Sequence, residues 1–215
     1  YRPSPIRLYF GDWANDGAPR MMEAYNQSGV WLPVHDRLWL ERGMPDLATR
    51  YPTHQAFGKA DVPGIIEPWG ASRFIEASEL ASTVFLNRNG RFEARALPKE
   101  AQLAPVFSIN SADFDADGIE DLFLSQNFFG TATDLTRDDA GRGLWLRGKG
   151  DGTFQAVDAS ESGIRVEGEQ RGAALGDFNH DGRVDLAVTQ NLGPGRVFIN
   201  RSPQRGIRVE LKGRK

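Results

Sequence analysis

The chain has 215 residues and a net charge of −3, so nothing in its electrostatics favours nucleic acid or an anionic membrane surface. Its apolar share of 40% can support a core, and no run of about eighteen apolar residues is present to span a bilayer. Cysteine is absent, which excludes thiol chemistry, disulfides and Cys-ligated zinc, while 24 Gly and 12 Pro suit a turn-rich β protein.

The chain opens on "YRPSPIRLYF", with neither an initiator Met nor a signal peptide, and is expected to be a piece of something longer. "IRLYFG" (6–11) reads as a strand. It leads into "DWANDGAPRMMEAYN", Asp12 to Asn26. The stretches "PDLATRYPTHQAFGKADVPGII" and "SRFIEASELAS" then read as partly helical, broken by Pro52 and Pro63. They belong to an expected insertion at about 28–81. This insertion holds Trp31, Trp39, Trp69 and Tyr51, which could form a small satellite core or an exposed ligand platform.

"STVFLNRNGRFEARAL" (82–97) reads as a hairpin, with Asn-Gly at a tight turn. "PVFSINSA" (105–112) reads as a strand and leads into "DFDADGIEDLFLSQN", Asp113 to Asn127. "LWLRGKGDGTFQAV" (144–157) is a second hairpin. "RGAALG" (171–176) leads into "DFNHDGRVDLAVTQN", Asp177 to Asn191, and "GRVFINRSPQRGIRVEL" (195–211) is a third hairpin.

The three acidic stretches align in one register. Each has Asp at place one, an aromatic at two, Asp at five, Gly at six and Asn at fifteen. The two complete copies start 64 residues apart (177 − 113). Strand, acidic loop, strand, strand, turn, strand is the order of a propeller blade. The expected fold is therefore all-β: about three propeller-like blades of four antiparallel strands, with a partly helical insertion in the first. Residues 1–97 would form blade one with its degenerate loop and the insertion. Residues 98–160 would form blade two with loop 113–121, and 161–215 blade three with loop 177–185.

A turn forced by Gly118 would crowd Asp113, Asp115, Asp117 and Asp121. Two carboxylates about 4 Å apart repel by roughly 4 kcal/mol at an effective dielectric near 20. A hard dication relieves this, and Ca²⁺ accepts six to eight oxygens at varied angles, backbone carbonyls included. The candidate ligands are those four side chains with the Ile119 carbonyl, and Asp177, Asn179, Asp181 and Asp185 with the Arg183 carbonyl. Two calcium sites are expected. An EF-hand would require Glu at place twelve, where Leu124 and Val188 stand. The worn loop keeps Asp12 and Asp16 but has Ala14 at place three and Arg20 at place nine, and Arg20 could itself supply the positive charge. That loop is expected to be metal-free or weak. The aromatics Trp13, Phe114 and Phe178 are expected to tuck under the loops, and Asn26, Asn127 and Asn191 to close turns by bonding backbone.

"DFDADGIEDLFLSQN" and "DFNHDGRVDLAVTQN" resemble the calcium loops of FG-GAP/VCBS repeats, found in the β-propeller of integrin α chains and in many bacterial exported proteins. "LWLRGKGDGTFQAV" is similar to the outer hairpin of such repeats, and the closing "GIRVELKG" resembles the entry to an ASPIC/UnbV domain. The resemblance implies a calcium-stabilised propeller segment that is secreted, periplasmic or at the cell surface. Its role would be protein interaction, adhesion or scaffolding, and no enzymatic activity is expected. The rest of a longer propeller, or other copies of the chain, would complete the ring. A protein or glycan ligand is expected, without nucleic acid and without a membrane span. The alternative is a carbohydrate-binding module or a non-catalytic part of a larger secreted enzyme. No G-x-S-x-G, P-loop, H-E-x-x-H or G-x-G-x-x-G motif is present.

Overall fold

The computed structural model describes residues 5–13, 16–69, 73–131 and 136–203, with the side chain of Trp69 left out. It divides into two compact units, Tyr1–Leu80 and Ala81–Lys215.

The first unit holds four strands: β1 (Ile6–Gly11), β2 (Arg20–Gln27), β3 (Val30–Pro33) and β4 (Arg73–Ala77). They form one antiparallel sheet in the order β3-β2-β1-β4. The β2–β3 turn has only Ser28 and Gly29, both at positive φ (54° and 88°), which matches the twist of the flanking strands. Asn26 Oδ1 accepts the Gly29 N–H at 3.0 Å and closes this turn. Four short helices follow: α1 (Arg37–Glu41), α2 (Leu47–Arg50), α3 (His54–Phe57) and α4 (Val62–Ile66). Asp36, Thr53 and Asp61 cap α1, α3 and α4 by accepting the N–H groups of Trp39, Ala56 and Gly64. Leu40, Leu47, Phe57, Val62, Ile65 and Ile66 from these helices pack with Tyr9, Trp13, Met22 and Ala24 into one core.

The stretch from residue 72 to 82 departs from its partly helical reading, because residues 73–77 form strand β4. Cross-strand partners decide this: Glu76 lies opposite Arg7 and bonds it at 2.8 Å, and Phe74 lies opposite Tyr9. The Arg7 guanidinium also sits 4.0 Å from the Phe74 ring and 3.9 Å from that of Trp31.

In the second unit β5 (Thr83–Arg88) and β6 (Arg91–Ala96) pair as a hairpin around Asn89 and Gly90. Strands β7 (Val106–Ala112), β8 (Asp121–Gln126), β9 (Leu144–Gly148) and β10 (Phe154–Val157) form an antiparallel sheet in the order β10-β9-β8-β7. After one helical turn, α5 (Ala159–Ser162), come β11 (Glu169–Gly176), β12 (Asp185–Asn191) and β13 (Gly193–Phe198) in a three-stranded sheet. The second strand expected for the hairpin at 195–211 lies outside the described residues, as does the whole of "GIRVELKG" (206–213), since residues 204–215 are not described. The architecture is all-β and blade-like, with antiparallel sheets and few helices.

Strand β8 is buried on both faces. Leu124 points into a core with Leu97, Ala101, Leu144 and Leu146, while Phe123 joins Val166, Leu186 and Val188. That explains why "DLFLSQ" is apolar at consecutive positions rather than alternating. The acidic loops leave the sheets at Gly11, Ala112 and Gly176, and re-enter them at Arg20, Asp121 and Asp185.

Candidate metal centre

The three acidic loops share one hydrogen-bond frame. At place one, Asp113 accepts the N–H groups of Asp117 and Gly118 at 3.0 and 2.9 Å. Asp177 does the same with Asp181 and Gly182, both at 2.9 Å, and Asp12 with Asp16 and Gly17 at 3.1 and 2.8 Å. At place five, Asp117, Asp181 and Asp16 each accept the N–H two residues on, from Ile119, Arg183 and Ala18. The Gly at place six has φ of 81–88° in all three loops. In the two loops where place four is described, Ala116 and His180 are also left-handed, at 59° and 60°. Left-handed residues at places four and six, on either side of the place-five Asp, curl the chain around the first Asp. His180 is exposed.

Place nine anchors the loop from below. Asp121 is fully buried at the start of β8. Its Oδ2 accepts Phe114 N–H and the Trp145 indole N–H, both at 3.1 Å, and its Oδ1 accepts Gly148 N–H at 2.8 Å. Burial pushes its carboxyl above the usual range, against the pull of these three donors. Asp185 is its counterpart, also fully buried, accepting Phe178 N–H at 2.9 Å and Asn200 N–H at 2.8 Å.

Oxygens of Asp113, Asp115 and Asp117 all lie within 4.8 Å of one another. Of the residues singled out from the sequence, these three are brought together, and Asp121 sits beneath them with its own donors. Asp115 also receives Arg147 Nε at 2.7 Å, and Arg147 extends to Glu161 at 2.9 Å. Ile119 packs its side chain toward Gly148 and Gly150. In the second complete loop, Asn179 bonds Asp181 twice: its Nδ2 donates to Oδ2 at 3.0 Å, and its Oδ1 accepts the backbone N–H at 3.2 Å. The Arg183 guanidinium donates to the same Asp181 Oδ2 at 2.8 Å, and Arg183 Nε to Ser202 O at 2.7 Å.

In the worn loop Arg20 forks Asp16 through both terminal nitrogens, at 2.9 and 2.8 Å, and its Nε donates to Gly43 O at 3.1 Å. The bonds from Arg20 hold the Asp16 carboxyl far below the ordinary carboxylate range. At sequence place nine the worn loop thus carries a guanidinium, directed at place five, where the complete loops carry a buried carboxylate.

The aromatics at place two divide. Trp13 is 2% exposed in the first core, and Phe114 meets Trp145 edge-on at 6.1 Å against the core that Phe123 shares with Val166, Leu186 and Val188. Phe178 is 48% exposed, which corrects the expectation that all three are covered: no sheet among the described residues lies over it as the third lies over Phe114. Asn127 bonds the backbone of Gly141, Glu167 and Gly168, whereas Asn191 donates to the Glu169 side chain at 2.6 Å. Arg147 and Trp145 were not singled out from the sequence. Their signal was the alternation in "LWLRG", which turns both side chains to the loop from a strand more than twenty residues away.

Residues 130–205, which include the loop at Asp177, match the FG-GAP-like repeat family. The chain carries an FG-GAP-like repeat. The match ends at residue 205, short of the closing segment that resembled ASPIC/UnbV. The chain is also similar to cartilage acidic protein 1 of Xenopus tropicalis, 36% identical over 78 residues, covering 36% of this chain and 12% of that protein. The Homo sapiens protein of the same name is 37% identical over 81 residues, again 36% of this chain and 12% of the relative. The chain thus aligns with about an eighth of the length of each.

Proposed function

We propose that this chain is a calcium-binding segment of an extracellular β-propeller that serves protein interaction, adhesion or scaffolding and catalyses nothing. The observation that carries the reading is the loop at 113–121, where three carboxylates converge within 4.8 Å on a frame that two other loops repeat. The donor set is hard oxygen throughout, which suits Ca²⁺; Mg²⁺ demands stricter octahedral geometry and keeps more of its water. Asp113, Asp115, Asp117 and Asp121 with the Ile119 carbonyl would hold one ion. Asp177, Asn179, Asp181 and Asp185 with the Arg183 carbonyl would hold the other. Bound calcium supplies charge neutralisation, and the chain's own residues then keep each strand–loop–strand corner in one conformation. The FG-GAP-like repeat supports a secreted or surface setting, and the likeness to two proteins named for cartilage agrees with it. Among the described residues no helix is long and apolar enough to cross a membrane. The carbohydrate-binding alternative drew on aromatics of the insertion, but Trp31, Trp39 and Tyr51 pack against the core of the first unit.

Thermal melting of the full chain tests the reading. Calcium at a hundred times its dissociation constant adds roughly 2.7 kcal/mol per site, and extracellular modules bind at about 10⁻⁴–10⁻³ M. Millimolar calcium should raise the midpoint and chelator should lower it. A midpoint indifferent to both removes the calcium reading.

A further inference from the structure

Two of the three loops bring their own cation to the place-five aspartate. Arg20 is held by Gly43 O through Nε and forks Asp16. Arg183 is held by Ser202 O through Nε and reaches Asp181 Oδ2 with Nη1. The two arginines occupy different places in their loops, nine and seven, yet each is tethered to a carbonyl outside the loop and aimed at the same carboxylate. Among the described residues Asp117, the third member of this set, receives the N–H of Ile119 and no ion pair. The complete loops also differ in charge. Loop 113–121 offers four carboxylates at ligand places, Asp113, Asp115, Asp117 and Asp121, besides Glu120, which accepts the Ser111 hydroxyl. Loop 177–185 offers three, with Asn179 in place of the fourth. Loop 113–121 has a guanidinium too, Arg147, on its place-three ligand Asp115 at 2.7 Å, but it is shared with Glu161 and leaves place five alone.

We infer that Arg183 is a resident counter-ion of loop 177–185, so that the two complete loops take calcium in a fixed order, 113–121 first. This rests on the calcium reading above and adds a regulatory residue to it. Ligand charge sets the affinity of such oxygen sites. A dication entering loop 177–185 must displace the Asp181–Arg183 bond or tolerate a positive group beside it. Loop 113–121 has no such competitor at place five. The sequence pattern alone ranks the loops as two sites; the tethered arginine separates them. The arrangement also gives loop 177–185 a closed form that does not need the ion, as Arg20 gives the worn loop.

Calorimetric titration of the full chain with calcium chloride tests the order. The wild type should show two steps of unequal affinity. Asp117→Ala should remove the tighter step and Asp181→Ala the weaker one. Arg183→Gln should tighten the weaker step by about tenfold, narrowing the gap, and should lower the melting midpoint in chelator, where the internal bond acts alone. Arg183→Lys keeps the charge but loses the planar fork that serves Ser202 O and Asp181 at once, and should fall between. Two equal steps in the wild type, unchanged by Arg183→Gln, overturn the inference and leave the calcium reading standing. Loss of the tighter step in Asp181→Ala also overturns it. No calcium uptake by the wild type overturns the reading itself.

Discussion

The indole N–H of Trp145 donates to Asp121 Oδ2 at 3.1 Å, while the other oxygen of that carboxylate takes Gly148 N–H at 2.8 Å. A fully buried carboxylate is costly without partners, and here β9 provides two of its three donors. The acidic loop is thereby fastened to a strand that follows it by more than twenty residues. Trp145→Phe removes one charge-assisted bond and keeps most of the ring. It should cost about 1.5–3 kcal/mol in urea denaturation. A loss within error of zero would mean that Asp121 finds water or another donor there.

The same corner explains Gly148. A Cβ on this residue would lie 2.2 Å from the carbonyl oxygen of Glu120 and 2.8 Å from the Ile119 side chain. The first contact is with backbone, which cannot swing aside. Gly148→Ala should destabilise the second unit by about 1–3 kcal/mol, as overpacking does, and should weaken calcium binding at 113–121 because the loop's exit moves. The matching control is Gly150→Ala, where the nearest atom is 3.4 Å away but φ is +79°. It should affect hairpin stability with little change in binding.

Glu169 supplies a pH dependence remote from the acidic loops. It accepts Phe129 N–H at 2.9 Å and the Asn191 amide at 2.6 Å, and pairs with Arg171. The Phe129 N–H foremost, then the Asn191 amide, hold its carboxyl below the ordinary glutamate value. A depressed folded-state value means that the stabilisation is complete above the unfolded value of about 4.3 and disappears as pH falls through the lower folded value. Glu169→Gln should therefore lose most, relative to wild type, at pH 7 and least near pH 3. Urea denaturation at both pH values checks this, and equal deficits at the two would show that the charge is irrelevant.

What the sequence made legible was local. Acidic loops, Asn-Gly and Gly-Asp-Gly turns and short β-branched strands are set by residues within a few positions of one another, and they fall where the pattern put them. Strand β4 was not legible, because its conformation is decided by Arg7 and Tyr9 on β1, more than sixty residues earlier. Arg147 escaped notice for the same reason: its partner Asp115 is 32 positions away. The spacing assigns Arg183 a backbone carbonyl role at place seven, while its side chain bonds Asp181 and Ser202. A spacing rule names backbone roles well and says little about where a long side chain goes. Phe178 matched Trp13 and Phe114 in sequence but not in burial, since burial depends on which element lies above.

Asn127 shows how a residue repeated at one place can come to hold two sheets together. It is fully buried with φ of 86°, a conformation that Asn tolerates better than most residues with a side chain. Its Nδ2 donates to Gly141 O at 2.8 Å, and also to Gly168 O and Glu167 O at 3.1 and 3.2 Å; its Oδ1 accepts Gly141 N–H at 2.8 Å. The residue that closes the acidic stretch is thus bonded to the far end of its own β8–β9 connection and to the segment entering β11. Asn127→Ala strands three carbonyls and one N–H in a site closed to water and adds left-handed strain. The expected cost is on the order of 3–5 kcal/mol. Asn127→Gly relieves the backbone but not the bonds, and should recover about 1 kcal/mol of that loss. Asn127→Asp keeps the acceptor and loses every donor, facing a buried charge toward carbonyl oxygens, and should be the worst of the three at pH 7. Denaturation midpoints in the order Gly, Ala, Asp, all below wild type, would bear this out. An Asp variant as stable as wild type would show that the amide's donors hold nothing in place.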